Sequence, residues 1–149
     1  MNLNFKDDII YLIKHLSKLL ESDFEQRVSQ VGLTGAQARV LFFIFRKNRL
    51  ENQIVHQNDV EKEFKLAKST VNGLISRLLK NGFINKKNDS RYVMLEITKL
   101  GVNTISSIRQ GRIKTIDRLF EGYSPEEKQM TLDKLNKLIN NLEGGNENA

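Results

Sequence analysis

The chain has 149 residues, 39% hydrophobic and 28% charged, with a formal net charge of +6, one proline and no cysteine. That length suits one ordinary domain with its own core, and the lack of cysteine excludes disulfides, thiolate metal sites and thiol redox switches. Mean hydropathy is −0.44, no apolar run approaches the ~20 residues of a membrane span, and MNLNFKDDIIYLIKHL lacks the pattern of a signal peptide, so a cytoplasmic location is expected.

Residues 5–31 read as one long amphipathic helix. Phe5, Ile9, Leu12, Ile13, Leu16, Leu19, Leu20, Phe24, Val28 and Val31 recur mostly at helical spacings. Gly32 is placed to end it. Thr34, with Gln37 three residues on, offers a capping box for the next helix. Ala38, Val40, Leu41, Phe42, Ile44 and Phe45 make that helix apolar nearly all round, which predicts burial. Arg46–Asn52 reads as a polar loop and Gln53–Val55 as a short strand.

The stretch from residue 57 to 100 is the most informative. It predicts a short helix over Gln57–Phe64, a tight turn over Lys65–Ala67 and a second helix over Lys68–Asn81. Gly82 and an alternating hairpin follow, with strands Phe83–Lys87 and Tyr92–Ile97. Two short helices joined by a tight turn make a helix-turn-helix, whose second helix fits the DNA major groove. The basic hairpin after it is the wing. Val71, Leu74, Ile75 and Leu78 form the inward stripe of the second helix. Ser69, Asn72, Gly73, Ser76 and Lys80 fall on the other side, with Lys68 and Thr70 at its start. Small polar groups let a helix sit deep in the groove, and asparagine can pair bidentately with adenine. Lys68, Arg77 and Lys80 suit phosphates, which position without specifying. On the wing, Lys86, Lys87 and Arg91 cluster around the tip KKNDSR, with Ser90 beside them. A cationic tip can enter the narrow minor groove. Asp89 has the wrong sign for phosphate; it reads equally as a holder of a basic side chain and as a plain turn residue.

Thr98 then precedes a helix over about residues 99–120, with Gly111 inside it as a place for a bend, at ~1 kcal/mol against alanine. Ser124, Pro125, Glu126 and Glu127 form a strong helix start. The last helix carries Met130, Leu135, Leu138, Ile139 and Leu142 on one face. A small lobe cannot cover three long amphipathic helices within one protomer, so the apolar stripes at both chain ends predict a partner helix in a symmetric dimer.

Charge is unevenly placed. Residues 34–100 hold thirteen Lys or Arg against six Asp or Glu, and the rest holds eleven against twelve. All the positive excess therefore lies in the helix-turn-helix segment, as a phosphate-binding surface requires. Nothing points to catalysis: there is no glycine-rich phosphate loop and no thiol nucleophile, and His15 and His56 are far apart and outside any ligand cluster.

The segments LTGAQARVLFFI, QNDVEKEF, KSTVNGLISRLLKNGFI and DSRYVMLEITKLG, in this order, resemble the MarR family of bacterial transcription factors over about residues 5–142. The resemblance implies a homodimer built from both chain ends. It implies the Lys68–Asn81 helix in the major groove and the wing in the minor groove of a pseudo-palindromic promoter site. Many members are repressors released by small phenolic or other aromatic ligands bound between the dimer region and the winged lobe. Phe5, Tyr11, Phe24 and Phe42 are aromatic candidates for such a cleft, although core packing is the commoner role. The chain departs from the family in some places. His56 and Ala67 stand where similar proteins carry Ser or Thr helix caps, worth about 1 kcal/mol each. The wing tip is short, and the cysteine of the oxidant-sensing branch is absent.

The expected fold class is mainly α with a small β-hairpin wing (α+β). A winged helix-turn-helix lobe over 34–100 and a helical dimerisation region from 1–33 with 101–149 form a single domain. The expected function is a sequence-specific regulator of transcription that binds double-stranded DNA as a homodimer. The expected partners include a small aromatic ligand, and exclude a cofactor, a metal and a membrane. The alternative is a winged-helix protein used for protein contacts or non-specific nucleoid binding.

Overall fold

Asp8 opens the first helix: its carboxylate accepts from the backbone N–H groups of Ile10 (2.9 Å) and Tyr11 (3.2 Å). The computed structural model describes residues 5–144, except Ser90 and the side chain of Asp89. The expected DNA contact of Ser90 and the expected wing-orienting role of Asp89 therefore lie outside the described residues. Helix α1 spans Ile9–Ser29, and Phe5–Asp7 forms a separate 3-10 turn. The apolar spacing runs on through Phe5, but the side-chain cap at Asp8 fixes the start at Ile9. At the far end the N–H of Leu33 reaches back to Val28 O (3.0 Å), with Gly32 left-handed between them.

Helix α2, Gly35–Phe45, starts on the expected capping box: Thr34 Oγ1 accepts from Gln37 N (3.2 Å) and Gln37 Oε1 from Thr34 N (3.1 Å). Glu25 of α1 adds a carboxylate that accepts from Gly35 N (3.1 Å). Val40, Leu41 and Ile44 are almost fully buried, and α2 crosses the centre of the core. Arg46–Leu50, expected as a loop, instead continues α2 as a turn of π-helix. Its ends are tied by Glu51 N–H to Arg46 O (3.0 Å) and Gln53 N–H to Lys47 O (2.7 Å). A Lys47–Glu51 ion pair (2.7 Å) braces the same turn. The hydrogen bond from Lys47, helped by its charge and that of Arg46, holds the Glu51 carboxyl below its usual range.

The sheet has three antiparallel strands in the order β1-β3-β2. Strand β1 is Val55–His56, one residue later than expected at its end, and pairs Val55 with Leu95 and His56 with Met94. Strands β2, Ile84–Asp89, and β3, Tyr92–Ile97, form the wing, in register from Ile84↔Ile97 to Asp89↔Tyr92. Where β1 stops, Asn48 takes over. Its Oδ1 accepts from Ile97 N (3.0 Å) and its Nδ2 donates to Gln53 O (3.0 Å). Asn48→Ala is expected to lower stability by about 1–2 kcal/mol, the cost of leaving a partly buried N–H without its acceptor. Urea titration measures it, and an unchanged midpoint would remove Asn48 from the wing's support.

Helices α3, Gln57–Phe64, and α4, Lys68–Lys80, match the expected pair closely. Lys65 turns between them in the left-handed conformation, with φ of +51°. Gly82 closes α4 with φ of +77°, and Phe83 N–H reaches Leu78 O (3.0 Å); a left-handed residue at this site favours glycine. Helix α5 spans Lys99–Leu119 and α6 spans Pro125–Glu143. Ser124 and Glu127 form the capping box of α6 (3.1 and 2.8 Å). The chain divides into two compact units, residues 1–112 and 113–149. The first holds the core, where Leu41, Ile44, Val60, Val71, Ile75, Leu78, Leu95 and Ile105 are fully or almost fully buried. No described helix is long and apolar enough to cross a membrane.

Candidate nucleic-acid interface

Helix α4 is divided sharply by burial. Val71, Ile75 and Leu78 are buried, while Lys68, Ser69, Thr70, Asn72, Gly73, Ser76, Arg77 and Lys80 are all exposed. The inward residues recur at four and three, so they hold one stripe against α2 and α3 and turn the polar side to solvent. Leu74, expected on the inward stripe, is only half-buried. Every residue expected to read or grip DNA on this helix is therefore accessible at once on one element.

The wing differs more from expectation. Strand pairing extends to Asp89, so Lys86 and Lys87 stand inside β2 rather than at the tip. Cross-strand partners share a face and neighbours alternate. Lys86, opposite Leu95, thus lies on the face of Ile84 and Ile97, whereas Lys87, opposite Met94, lies on the other. There Lys87 Nζ pairs with Glu96 Oε2 at 2.6 Å. Both residues line a groove of about 280 Å3 with Asn48, Gln53, Ile54 and Met94. Lys86 and Arg91 are exposed. The register divides the expected basic cluster into two faces, a division that composition cannot reveal.

The two uncapped helix starts also resolve differently. At α3, Asp59 supplies a carboxylate that accepts from the His56 backbone N–H (2.7 Å), the N3 side-chain bond of a capping box. At α4, Ala67 has no side-chain cap. His56 lies edge-on to Tyr92, with ring centres 5.5 Å apart, and His15 stacks on Tyr11 at 5.9 Å. Among the described residues no group of three or more His, Cys, Asp or Glu could hold a metal. Of the aromatic candidates, Phe24 lies under the guanidinium of Arg39 (4.9 Å) and Phe42 under that of Arg109 (5.8 Å). Phe5 packs on Tyr11 at 5.2 Å.

One neighbour of the α4 face was not anticipated. Gln57, the first residue of α3, donates its side-chain amide to Asn72 Oδ1. No local pattern marks it, because the two residues meet only through the fold of the helix pair.

Residues 31–91 match the family model described as the MarR family. The chain is 26% identical over 132 residues to the HTH-type transcriptional repressor YetL of Bacillus subtilis, covering 85% of this chain and 76% of that protein. Its fold is similar to that of MepR, a transcription regulator of the Staphylococcus aureus multidrug efflux pump MepA. That likeness has a TM-score of 0.83 at 20% identity and covers 91% of this chain and 98% of MepR. It is also similar to MepR in a DNA complex, with a TM-score of 0.64 at 19% identity over 92% of this chain and 98% of that one.

Proposed function

We propose that the chain is a DNA-binding transcriptional repressor of the MarR family, whose model it matches over residues 31–91, acting on a pseudo-palindromic promoter site as a homodimer. The observation that carries the reading is the exposed polar face of α4, set beside a wing whose Lys86 and Arg91 are accessible. Lys68, Arg77, Lys80, Lys86 and Arg91 would hold phosphates, and Ser69, Thr70, Asn72, Gly73 and Ser76 would meet base edges. Lys87, held by Glu96, would contribute least of the expected cations. The relatives support the reading: one is named a transcriptional repressor, and another is a transcription regulator seen with DNA.

Both chain ends carry the apolar surface that a homodimer would cover. On α1, Ile9, Ile10, Ile13 and Leu19 are each about half exposed, and on α6 so are Met130, Leu138 and Ile139. The lobe of residues 34–100 and the helical region of 1–33 with 101–149 would together make one domain. The protein would work in the cytoplasm, carry no metal, cofactor or catalytic activity, and be released from DNA by a small aromatic molecule.

Binding to the chain's own upstream DNA, compared with random DNA in moderate salt, tests the function. Arg91→Ala is expected to weaken binding to every sequence and to lower the salt slope by about one. Asn72→Ala is expected to relax base choice instead, by about tenfold at one position. Equal affinity of the unaltered protein for both DNAs would favour nucleoid or protein contacts, and an Arg91→Ala protein indistinguishable from the parent would remove the wing from the interface.

A further inference from the structure

Gln57 and Glu61 stand one turn apart on α3, beside Asn72 of α4. The Gln57 amide nitrogen donates to Asn72 Oδ1 and lies 3.5 Å from Glu61 Oε1. A carboxylate only accepts hydrogen bonds. Turning the Gln57 amide over would set its carbonyl oxygen against both that carboxylate and the Asn72 oxygen. Glu61 thus fixes which end of Gln57 faces inward, and Gln57 in turn fixes which end of Asn72 does. The Asn72 oxygen faces Gln57, which leaves its NH2 as the group free to meet DNA.

We infer that Gln57, held by Glu61, is a positioning residue for base choice: it makes Asn72 select a base that presents a hydrogen-bond acceptor. This deepens the DNA-binding reading and rests on it. A free asparagine amide can offer donor or acceptor to either side. A held one discriminates, because purine N7, guanine O6 and thymine O4 accept in the major groove, while cytosine N4 and adenine N6 donate. The second lone pair of Asn72 Oδ1 remains for adenine N6, so adenine, with N7 and N6 side by side, is the base best matched.

The test selects bound sequences from a randomised double-stranded pool, using the full chain and its Asn72→Ala, Gln57→Ala and Gln57→Glu variants. Asn72→Ala is expected to flatten one position in each half-site. Gln57→Ala is expected to relax that same position by about tenfold and leave the others as they were. Gln57→Glu must accept from the Asn72 NH2, so it turns the Asn72 oxygen outward and shifts that position toward cytosine. A merely structural role would weaken all positions together and lower the melting temperature, which is recorded for each variant. Unchanged preference at the Asn72 position, or uniform weakening at all positions, in the Gln57 variants overturns the inference and leaves the DNA-binding reading standing. So does an Asn72→Ala protein with the parental preference. A parent protein that selects no motif overturns both.

Discussion

Gly101→Ala is expected to lower folding stability by about 2 kcal/mol and the melting temperature by about 6 °C at fixed protein concentration. Gly101 sits in the first turn of α5, where its N–H donates to Thr98 Oγ1 (3.1 Å). Thr98 in turn donates its hydroxyl to Gly82 O (2.6 Å) and lies 3.0 Å from Phe83 O, so the helix start is pressed onto the end of α4. A methyl group at Gly101 would lie 2.3 Å from Phe83 O and 2.6 Å from Ile97 Cγ1. Overpacking costs about 1–3 kcal/mol where neighbours yield. Here one neighbour is backbone at the base of the wing, so the upper end applies, and about 1 kcal/mol of helix propensity offsets it. Gly73→Ala is the control. Nothing lies within 4 Å of a methyl group there, so the same exchange is expected to leave stability unchanged or raise it by up to about 1 kcal/mol. Equal melting temperatures for the two variants would dismiss the close approach as a constraint.

Gly101 also shows what was legible beforehand. The segment DSRYVMLEITKLG, which ends on Gly101, was visible as part of the family resemblance, but the physical reason for its glycine was not. The contact runs from α5 to Phe83, across the wing, and only the fold brings it about. Features written within a few residues fared best. The capping box at Thr34, the helix start at Ser124 and Pro125, the glycine end at Gly32, and both helices of the helix-turn-helix all follow from local spacing, and the structure has them. Where two local signals competed, the weaker-looking one won. Apolar spacing carried the first helix back to Phe5, yet the Asp8 cap begins it at Ile9. Polar residues over 46–52 suggested a loop, yet backbone bonds and the Lys47–Glu51 pair keep the chain helical through Leu50.

The candidate interface divides the same way. The exposed face of α4 was readable because a 3.6-residue period decides it. The wing cations were readable as a group but not as individuals, since strand register alone sends Lys86 to one face and Lys87 to Glu96 on the other. Gln57 was invisible for the same reason as the role of Gly101, because Asn72 lies fifteen residues away in sequence.

Leu135→Glu combined with Leu138→Glu is expected to turn the protein into a monomer and to weaken binding to a two-half-site DNA by about 100-fold or more. Both leucines are more than two-fifths exposed on α6, as are Met130, Ile139 and Leu142, a longer apolar stripe than scattered surface leucines would make. Across a two-fold axis each substitution acts twice, so two glutamates place four carboxylates in one apolar seam. The loss on DNA follows from linkage: a dimer that has docked one lobe holds the second at high effective concentration over its half-site, and a monomer does not. Sedimentation at tens of micromolar reads the oligomeric state, circular dichroism reads retained helix, and titration of one-half-site and two-half-site duplexes separates avidity from the lobe's own contacts. The one-half-site affinity is expected to stay within about threefold of the parent, because the residues proposed to touch DNA all lie between Lys68 and Arg91. A double variant that stays dimeric would move the seam to other residues, such as the half-exposed Ile9 and Ile13 of α1. A parent that sediments as a monomer would remove the dimer and, with it, the reason for a palindromic site.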